Sequence, residues 1–396
     1  MISGMATSGS AATVAGSSGR IRWMLRFLHR TLGHTLGIVF VVIGLTGSML
    51  AYWQAIDEAL NPGVLLVAAS PPEDRQYRPI DQIMSSAKAA MKPGGEARIL
   101  IMPRHENAAA LVLYEIQRSG GVIDLHEIGI DPYTATTVGQ RAIQEDGRTL
   151  SMPFIQILMS LHSALLLNEG GEILVAVIAT FMIISIIAGI YLWWPRNGNW
   201  RQAITIKRGA SPARRIFDVH RVTGAWTSIV LIAMLFTGTY VIIRQVMPSL
   251  LSFVAGSEKP LDSYRSAASL GATISPGDAV KRAEEALPGG KLYSLSLPQN
   301  REGVYIVGRQ SVEEPNRAAT YRNVVVDQFS GAVLTIQDRD KFSAGETFNE
   351  WVYPLHCGEA FGNFGRGVVM LLGIVPALLY FTALARWLNK RRATSK

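Results

Sequence analysis

The chain has 396 residues, 48% of them hydrophobic and only 17% charged, with a mean hydropathy of +0.21 and a net charge of +8. An ordinary soluble domain carries about 25% charge, so this composition argues against a wholly soluble protein. A single cysteine, Cys357, excludes within the chain a disulfide, a Cys-x-x-Cys redox pair, a Cys-x-x-Cys-His haem attachment and a four-cysteine iron–sulfur cluster.

In chain order, the first nineteen residues are small and polar, with Ser8, Gly9, Ser10, Gly16, Ser17, Ser18 and Gly19 among them, and read as a disordered N-terminus. They are not read as a cleaved signal peptide, because the apolar run behind them starts too late and is too long. Residues 20–54 form the entry and first membrane helix, 55–171 an outer module, 172–194 the second helix and 195–216 a loop. Residues 217–243 form the third helix, 244–364 a second module, 365–388 the fourth helix and 389–396 a tail. The calls for helices rest on the stretches 36–53, 173–194, 225–243 and 368–385, which hold no Lys, Arg, Asp or Glu. Each is long enough, or nearly so, to cross about 30 Å of hydrocarbon.

Charge sets the expected orientation. The N-terminal entry, the 195–216 loop and the residues from 386 onward carry fifteen Lys and Arg against one neighbouring acid, Asp218, whereas 55–171 holds 14 acidic and 9 basic residues and 244–364 holds 14 and 12. The positive-inside rule places both termini and the short loop in the cytoplasm and both modules outside, in the periplasm of a bacterial inner membrane. The basic patches are thereby accounted for by orientation, and no nucleic-acid partner is expected. The absence of Gly-x-Gly-x-x-Gly, Gly-Lys-Ser/Thr, His-Glu-x-x-His and Gly-x-Ser-x-Gly lowers the weight of a nucleotide-driven pump, a zinc protease or a serine hydrolase.

The two halves of the chain resemble each other. His29-Arg30-Thr31-Leu32-Gly33 matches His220-Arg221-Val222-Thr223-Gly224, and Leu45-Thr46-Gly47-Ser48 matches Phe236-Thr237-Gly238-Thr239. Pro79-Ile80-Asp81-Gln82 and Ser275-Pro276-Gly277-Asp278 each lead an Ala-rich helix closed by Pro-Gly-Gly, followed by a strand ending at Pro103 or Pro298. Alternating runs at 111–116, 304–308 and 323–327 read as further strands. Asp131-Pro132-Tyr133-Thr134 and Asp327-Gln328-Phe329-Ser330-Gly331 fall at matching turns, and Ser160-Leu161-His162 matches Pro354-Leu355-His356. The expected fold is an α+β membrane protein of four transmembrane helices in two repeats packed about a pseudo-twofold axis normal to the membrane, each repeat carrying one outer α+β module.

Four of the seven histidines form two matched pairs, His29 with His220 at the cytoplasmic ends of helices 1 and 3, and His162 with His356 before helices 2 and 4. Ionisable residues near the membrane carry a functional hypothesis, and two symmetric pairs point to two metal centres. At 100° per residue, Gly33, Gly37, Gly44 and Gly47 lie about 40°, 80°, 60° and 0° from His29, and Gly224, Ser228 and Gly238 about 40°, 80° and 0° from His220. A side-chain-free groove beside an imidazole suits a haem with axial histidines, and Arg30 and Arg221 are placed to pair with propionates. The competing reading of the glycines is close helix packing; for His162 and His356 it is a zinc, proton or interfacial hydrogen-bonding role. His34, about 140° from His29, is the alternative inner ligand. His105 and His126 read as exposed loop histidines. Cys357 reads as a packing residue.

The doubled Leu28-His29-Arg30-x-x-Gly33 and Val219-His220-Arg221-x-x-Gly224 motifs, with Leu45-Thr46-Gly47, Phe236-Thr237-Gly238 and the turns at Asp131 and Asp327-x-x-x-Gly331, resemble the PepSY-associated transmembrane family over roughly residues 22–390. The resemblance implies a PepSY-like module in each outer loop, two haems b and electron flow outward to a ferric siderophore; the electron donor, quinol or a cytoplasmic reductase, is not named by any motif in the sequence. Ala135 departs from the pattern where the first module's turn would place Gly. His29 and His220 would hold the inner haem, His162 and His356 the outer one, and Trp53, Trp351, Tyr353, Phe361 and Phe364 line the cleft that takes the chelate or form the interfacial aromatic belt. Two other function classes stand beside this: a peptide- or protease-binding membrane anchor without redox activity, and a siderophore or iron transporter.

Overall fold

The computed structural model describes residues 9–67, 76–145, 152–247, 260–267, 271–311 and 322–394. Helices α1 (Gly9–Thr35), α2 (Gly37–Leu50), α3 (Trp53–Leu60), α4 (Pro62–Leu65) and α5 (Ile80–Ala90) precede strands β1 (Gly95–Ile101), β2 (Ala110–Gln117), β3 (Ile123–Ile130) and β4 (Thr137–Gln144). Helices α6 (Phe154–Ala164), α7 (Asn168–Trp193), α8 (Trp200–Ala203), α9 (Pro212–Val246) and α10 (Pro276–Ala286) follow. Strands β5 (Lys291–Ser296), β6 (Val304–Gln310), β7 (Arg322–Asp327) and β8 (Val333–Gln337) and helices α11 (Ala344–Cys357) and α12 (Gly362–Thr394) complete the described chain. The chain divides into a membrane unit (residues 1–51, 160–248 and 363–396) and a sheet unit (52–159 and 249–362).

Three helices of the membrane unit are long and apolar enough to cross a membrane, within residues 170–193, 212–246 and 359–393. The segment expected as the first membrane helix is a pair of helices, residues 19–35 and 37–50, bent by 59°, and gives a fourth span when the pair is counted as one. Leu36 at the break has φ −97° and ψ −14°. Gly33 and Gly37 bracket it, and a helix flanked by such poor helix formers bends where a neighbour engages the gap. Here the neighbour is Tyr380 of α12, whose ring occupies the place a Cβ on Gly37 would take. Helix α1 also begins at Gly9, inside the segment read as disordered; Ala11, Ala12 and Ala15 extend an already nucleated helix at little cost. The first eight residues lie outside the described ones.

Small residues let α2 and α12 touch. A Cβ on Gly44 would meet the Gly373 carbonyl at 2.5 Å and Pro376 Cγ at 2.9 Å, and Ser48 Oγ donates to the Met370 carbonyl at 2.6 Å. This is the small-xxx-small mode of membrane helix packing. Beside it Phe40, Ile178, Met182 and Leu231 form a buried apolar cluster. Helix α9, by contrast, runs 35 residues unbroken from a Ser211 cap with Pro212 in its first turn.

The sheet unit is one antiparallel eight-stranded sheet in the order β4-β3-β2-β1-β5-β6-β7-β8. Its two central strands come from the two long segments 55–171 and 244–364, with Leu100 opposite Leu295, Ile99 opposite Ser296 and Ile101 opposite Ser294. Both leucines are fully buried under α5 and α10, in a core shared by Ile83, Ala87, Tyr114, Ile128, Ala279, Ala283 and Val307. Asp81 ties the two helices together, its carboxylate accepting from Gly277 N–H at 2.8 Å and Ser275 O–H at 3.0 Å at the start of α10. The runs read as strands at 111–116, 304–308 and 323–327 lie in β2, β6 and β7.

His126, read as an exposed loop residue, is instead buried in β3, stacked on Tyr114 at 5.1 Å. The polar Asp124, His126 and Glu127 masked this strand in the sequence. Ion pairs allow its burial: Arg118, across the β2–β3 hairpin, pairs with Asp124, and Arg141 on the neighbouring strand bridges Glu127 at 2.7 Å and Asp57 at 2.8 Å. Burial pushes the Glu127 carboxyl up, against the opposing pull of Arg141. His105 is exposed as expected and meets Glu58 at 3.2 Å.

The two Asp turns share one geometry. Asp131 accepts from Tyr133 N–H at 2.8 Å and Thr134 N–H at 3.3 Å; Asp327 accepts from Phe329 and Ser330 N–H at 2.9 and 2.8 Å. Burial opposes the Asp327 charge, but these N–H donors outweigh it and hold the carboxyl below its usual range. Ala135 at φ 57° takes the left-handed conformation that Gly331 takes at φ 68°.

Candidate functional site: the membrane histidines

The membrane unit brings His29 and His220 together, with ring centroids 6.3 Å apart and planes at 72°. Neither ring is held by a charge. His29 Nδ1 meets the Ser185 carbonyl at 2.8 Å and the Ser185 hydroxyl at 3.1 Å, both from α7. His220 Nδ1 meets the Leu379 carbonyl at 3.0 Å and Thr382 Oγ1 at 3.1 Å, both from α12. His162, at the end of α6, repeats the arrangement with the Ile43 carbonyl at 2.9 Å and Thr46 Oγ1 at 3.1 Å, from α2.

These contacts fix the tautomer. A carbonyl oxygen only accepts. The hydroxyls of Thr46 and Thr382 already donate to their own helix, to Val42 O at 2.8 Å and Leu378 O at 2.7 Å, so toward the imidazole they too accept. Nδ1 therefore carries the proton and Nε2 carries the lone pair, the arrangement of a histidine prepared to ligate a metal. Among the described residues no hydrogen bond reaches Nε2 of His29 or His220.

Glycines shape the space for two of these rings. A Cβ on Gly189 of α7 would lie 3.0 Å from His29 Cε1, and one on Gly47 would lie 2.8 Å from His162 Cε1. Gly47 is thus beside a histidine as expected, but beside His162 and not His29. The continuous groove drawn on helix 1 does not form, because the 59° bend at Leu36 separates His29 from Gly37, Gly44 and Gly47. Gly37 faces Tyr380 and Gly44 faces Gly373, so those two serve close packing; Gly33 has open space, and Gly224 has only Leu379 at 3.7 Å. Gly238 and Ser228 lie on the unbroken α9 with His220.

Of the remaining expected site residues, His34 has its ring against Trp387 at 5.9 Å. Arg30 is exposed. Arg221 spends its donors on Gln202 O at 2.6 Å, Thr205 O at 3.0 Å and Asp218 at 3.1 Å, because the 200–205 segment presents carbonyls that the sequence did not reveal. His356 lies near the end of α11 in the sheet unit. Trp53 carries Arg104 over its ring at 5.3 Å, and Phe361 and Phe364 are 65% and 80% exposed. Among the described residues no three His, Cys, Asp or Glu side chains converge on one point. Sequence reasoning missed Ser185, Gly189, Leu379 and Thr382; a hydroxyl inside an apolar run is the signal that marks Ser185 and Thr382.

The helices imply contact with the lipid bilayer. No curated protein sequence matches the chain. The profile of the PepSY-associated TM region matches residues 26–390, nearly the whole length, and the chain belongs to that family.

Proposed function

We propose that this protein is a dihaem b reductase of ferric siderophores in a bacterial inner membrane, with both termini cytoplasmic and the sheet unit periplasmic. The observation that carries the reading is the His29–His220 pair. Two imidazoles on opposite sides of one metal, each bonded at about 2 Å with the ring centre about 1 Å further on, have centroids roughly 6 Å apart. The 6.3 Å between the two ring centroids, with both Nδ1 atoms tied to acceptors, supports that reading.

When bound, haem supplies a one-electron carrier. The chain's contribution is to hold neutral imidazoles in one tautomer, to fix their rings through Ser185, Leu379 and Thr382, and to exclude competing protein ligands. His162, fixed by Ile43 and Thr46, and His356 are assigned to the outer haem. The two matched halves are read as a duplication about a pseudo-twofold axis, with the Leu100–Leu295 pair at the centre of the sheet on that axis. Electrons from quinol or a cytoplasmic reductase would reduce Fe(III) held by hard oxygen donors; Fe(II) binds such donors far less tightly, so one electron releases the metal and leaves the chelator intact.

The visible spectrum of detergent-purified protein, with pyridine haemochromogen quantification, tests this. About two haems b per chain, reduced by dithionite and reoxidised by added ferric siderophore, is the expected result. A colourless protein sinks the redox reading; haem that the chelate does not reoxidise sinks the substrate.

A further inference from the structure

We propose that Arg26 and Arg386 form a clamp for the two propionate carboxylates of the inner haem, the role that sequence alone gives to Arg30 and Arg221; the inference rests on the haem reading above. Three guanidinium groups gather on the Phe217 ring: Arg386 at 4.4 Å, and Arg214 and Arg221 at 5.5 Å. Asp218 satisfies two of them, Arg214 at 3.0 Å and Arg221 at 3.1 Å. Arg386 is left without an acid, and its charged neighbour from α1 is another cation, Arg26. Among the described residues neither Arg26 nor Arg386 makes an ion pair.

Their positions tie them to the histidines. Arg26 stands three residues before His29, Phe217 three before His220, and Arg386 four after Thr382, the residue that holds His220 Nδ1. Residues three or four apart share a helix face, so both arginines lie one turn beyond the imidazole pair, on the faces that carry it. On α7 the position four after Ser185 is Gly189, where a side chain would strike His29. The cations therefore come from α1 and α12, one each. Basic residues at these helix ends also follow from orientation; Arg26 is one turn from His29 where Arg22 is two, and Arg20 lies on the opposite face of the helix. Two like charges held together are unfavourable until an anion lies between them, and a guanidinium grips a carboxylate through paired N–H donors. A lipid phosphate offers the same chemistry, and the experiment separates the two.

Arg26→Gln, Arg386→Gln, the double variant, the double Lys variant and Arg20→Gln as a charge-loss control are purified and compared with the wild type. Readouts are the midpoint potential by optical titration, the rate of haem transfer to apomyoglobin, and retained phosphatidylglycerol. Loss of cations beside a haem disfavours its reduction, so the double Gln variant should shift the inner haem's reduction equilibrium at least tenfold toward the oxidised form, 59 mV downward for one electron. It should also release haem about tenfold faster, and the Lys variant should recover most of the potential. A double Gln variant with wild-type potential and haem release overturns the clamp, and loss of bound phosphatidylglycerol in its place assigns the site to lipid. Haem loss equal in the Lys and Gln variants would mark a folding defect and overturn the electrostatic role. A colourless wild type removes the haem reading itself, and the clamp with it.

Discussion

The first and second halves of the chain write the same words with different backbones. The segment around His29 breaks at Leu36 into two helices at 59°, whereas the segment around His220 continues through α9 for 35 residues. The Asp turns invert the asymmetry of strain: both adopt the left-handed conformation at their fifth residue, but the first half puts Ala135 there and the second Gly331. The difference teaches that a glycine in a membrane helix is defined by what covers it. Gly37 and Gly44 are covered by α12, Gly47 by His162, and Gly33 and Gly224 by little or nothing.

The sharpest way to break the comparison is at the histidines, where the halves should behave alike despite their backbones. His29→Ala and His220→Ala should each abolish the same haem, halving the haemochromogen yield, and His34→Ala should leave it intact. Unequal loss between His29 and His220 would show that they do not share one iron.

A smaller effect sharpens the packing difference. Gly44→Ala should lower stability by about 1–3 kcal/mol, as overpacking at a rigid backbone contact does, because its Cβ meets the Gly373 carbonyl at 2.5 Å. Gly224→Ala, with its nearest neighbour at 3.7 Å, should be neutral or slightly stabilising. Thermal unfolding in detergent distinguishes them, and equal shifts would remove the argument from coverage.

The smallest effect concerns the turns and runs in opposite directions. Ala135→Gly should stabilise the sheet unit and Gly331→Ala destabilise it, each by about 0.5–1 kcal/mol, since a left-handed Cβ costs roughly 1–2 kcal/mol and glycine's freedom offsets part of that. Denaturant midpoints measured on both variants decide it; shifts of the same sign would mean that strain at these turns is not what separates the halves.

Much of this was legible before any coordinates. The apolar runs at 173–194, 225–243 and 368–385 fix helices because a chain crossing hydrocarbon must satisfy its own backbone, and alternation at 304–308 and 323–327 marks strands. The pairing of His29 with His220 followed from their matched positions. What stayed hidden depends on residues brought from elsewhere in the chain: the bend needs Tyr380, the burial of Glu127 needs Arg141 and Asp57, and the diversion of Arg221 needs carbonyls at 202 and 205. Local pattern reports what a segment can do, and partners decide which option is used.

The union of β1 with β5 at the middle of the sheet has a consequence for how the protein is made. Leu100 and Leu295 lie about 195 residues apart, so at ribosomal speeds of roughly 5–20 residues per second the first loop waits on the order of 10–40 s for its central partner. Through that interval β1 is an edge strand with Ile99, Leu100 and Ile101 uncovered, the kind of surface that pairs with strangers. Truncation before residue 291 should therefore yield an aggregating half-sheet in place of a smaller folded module.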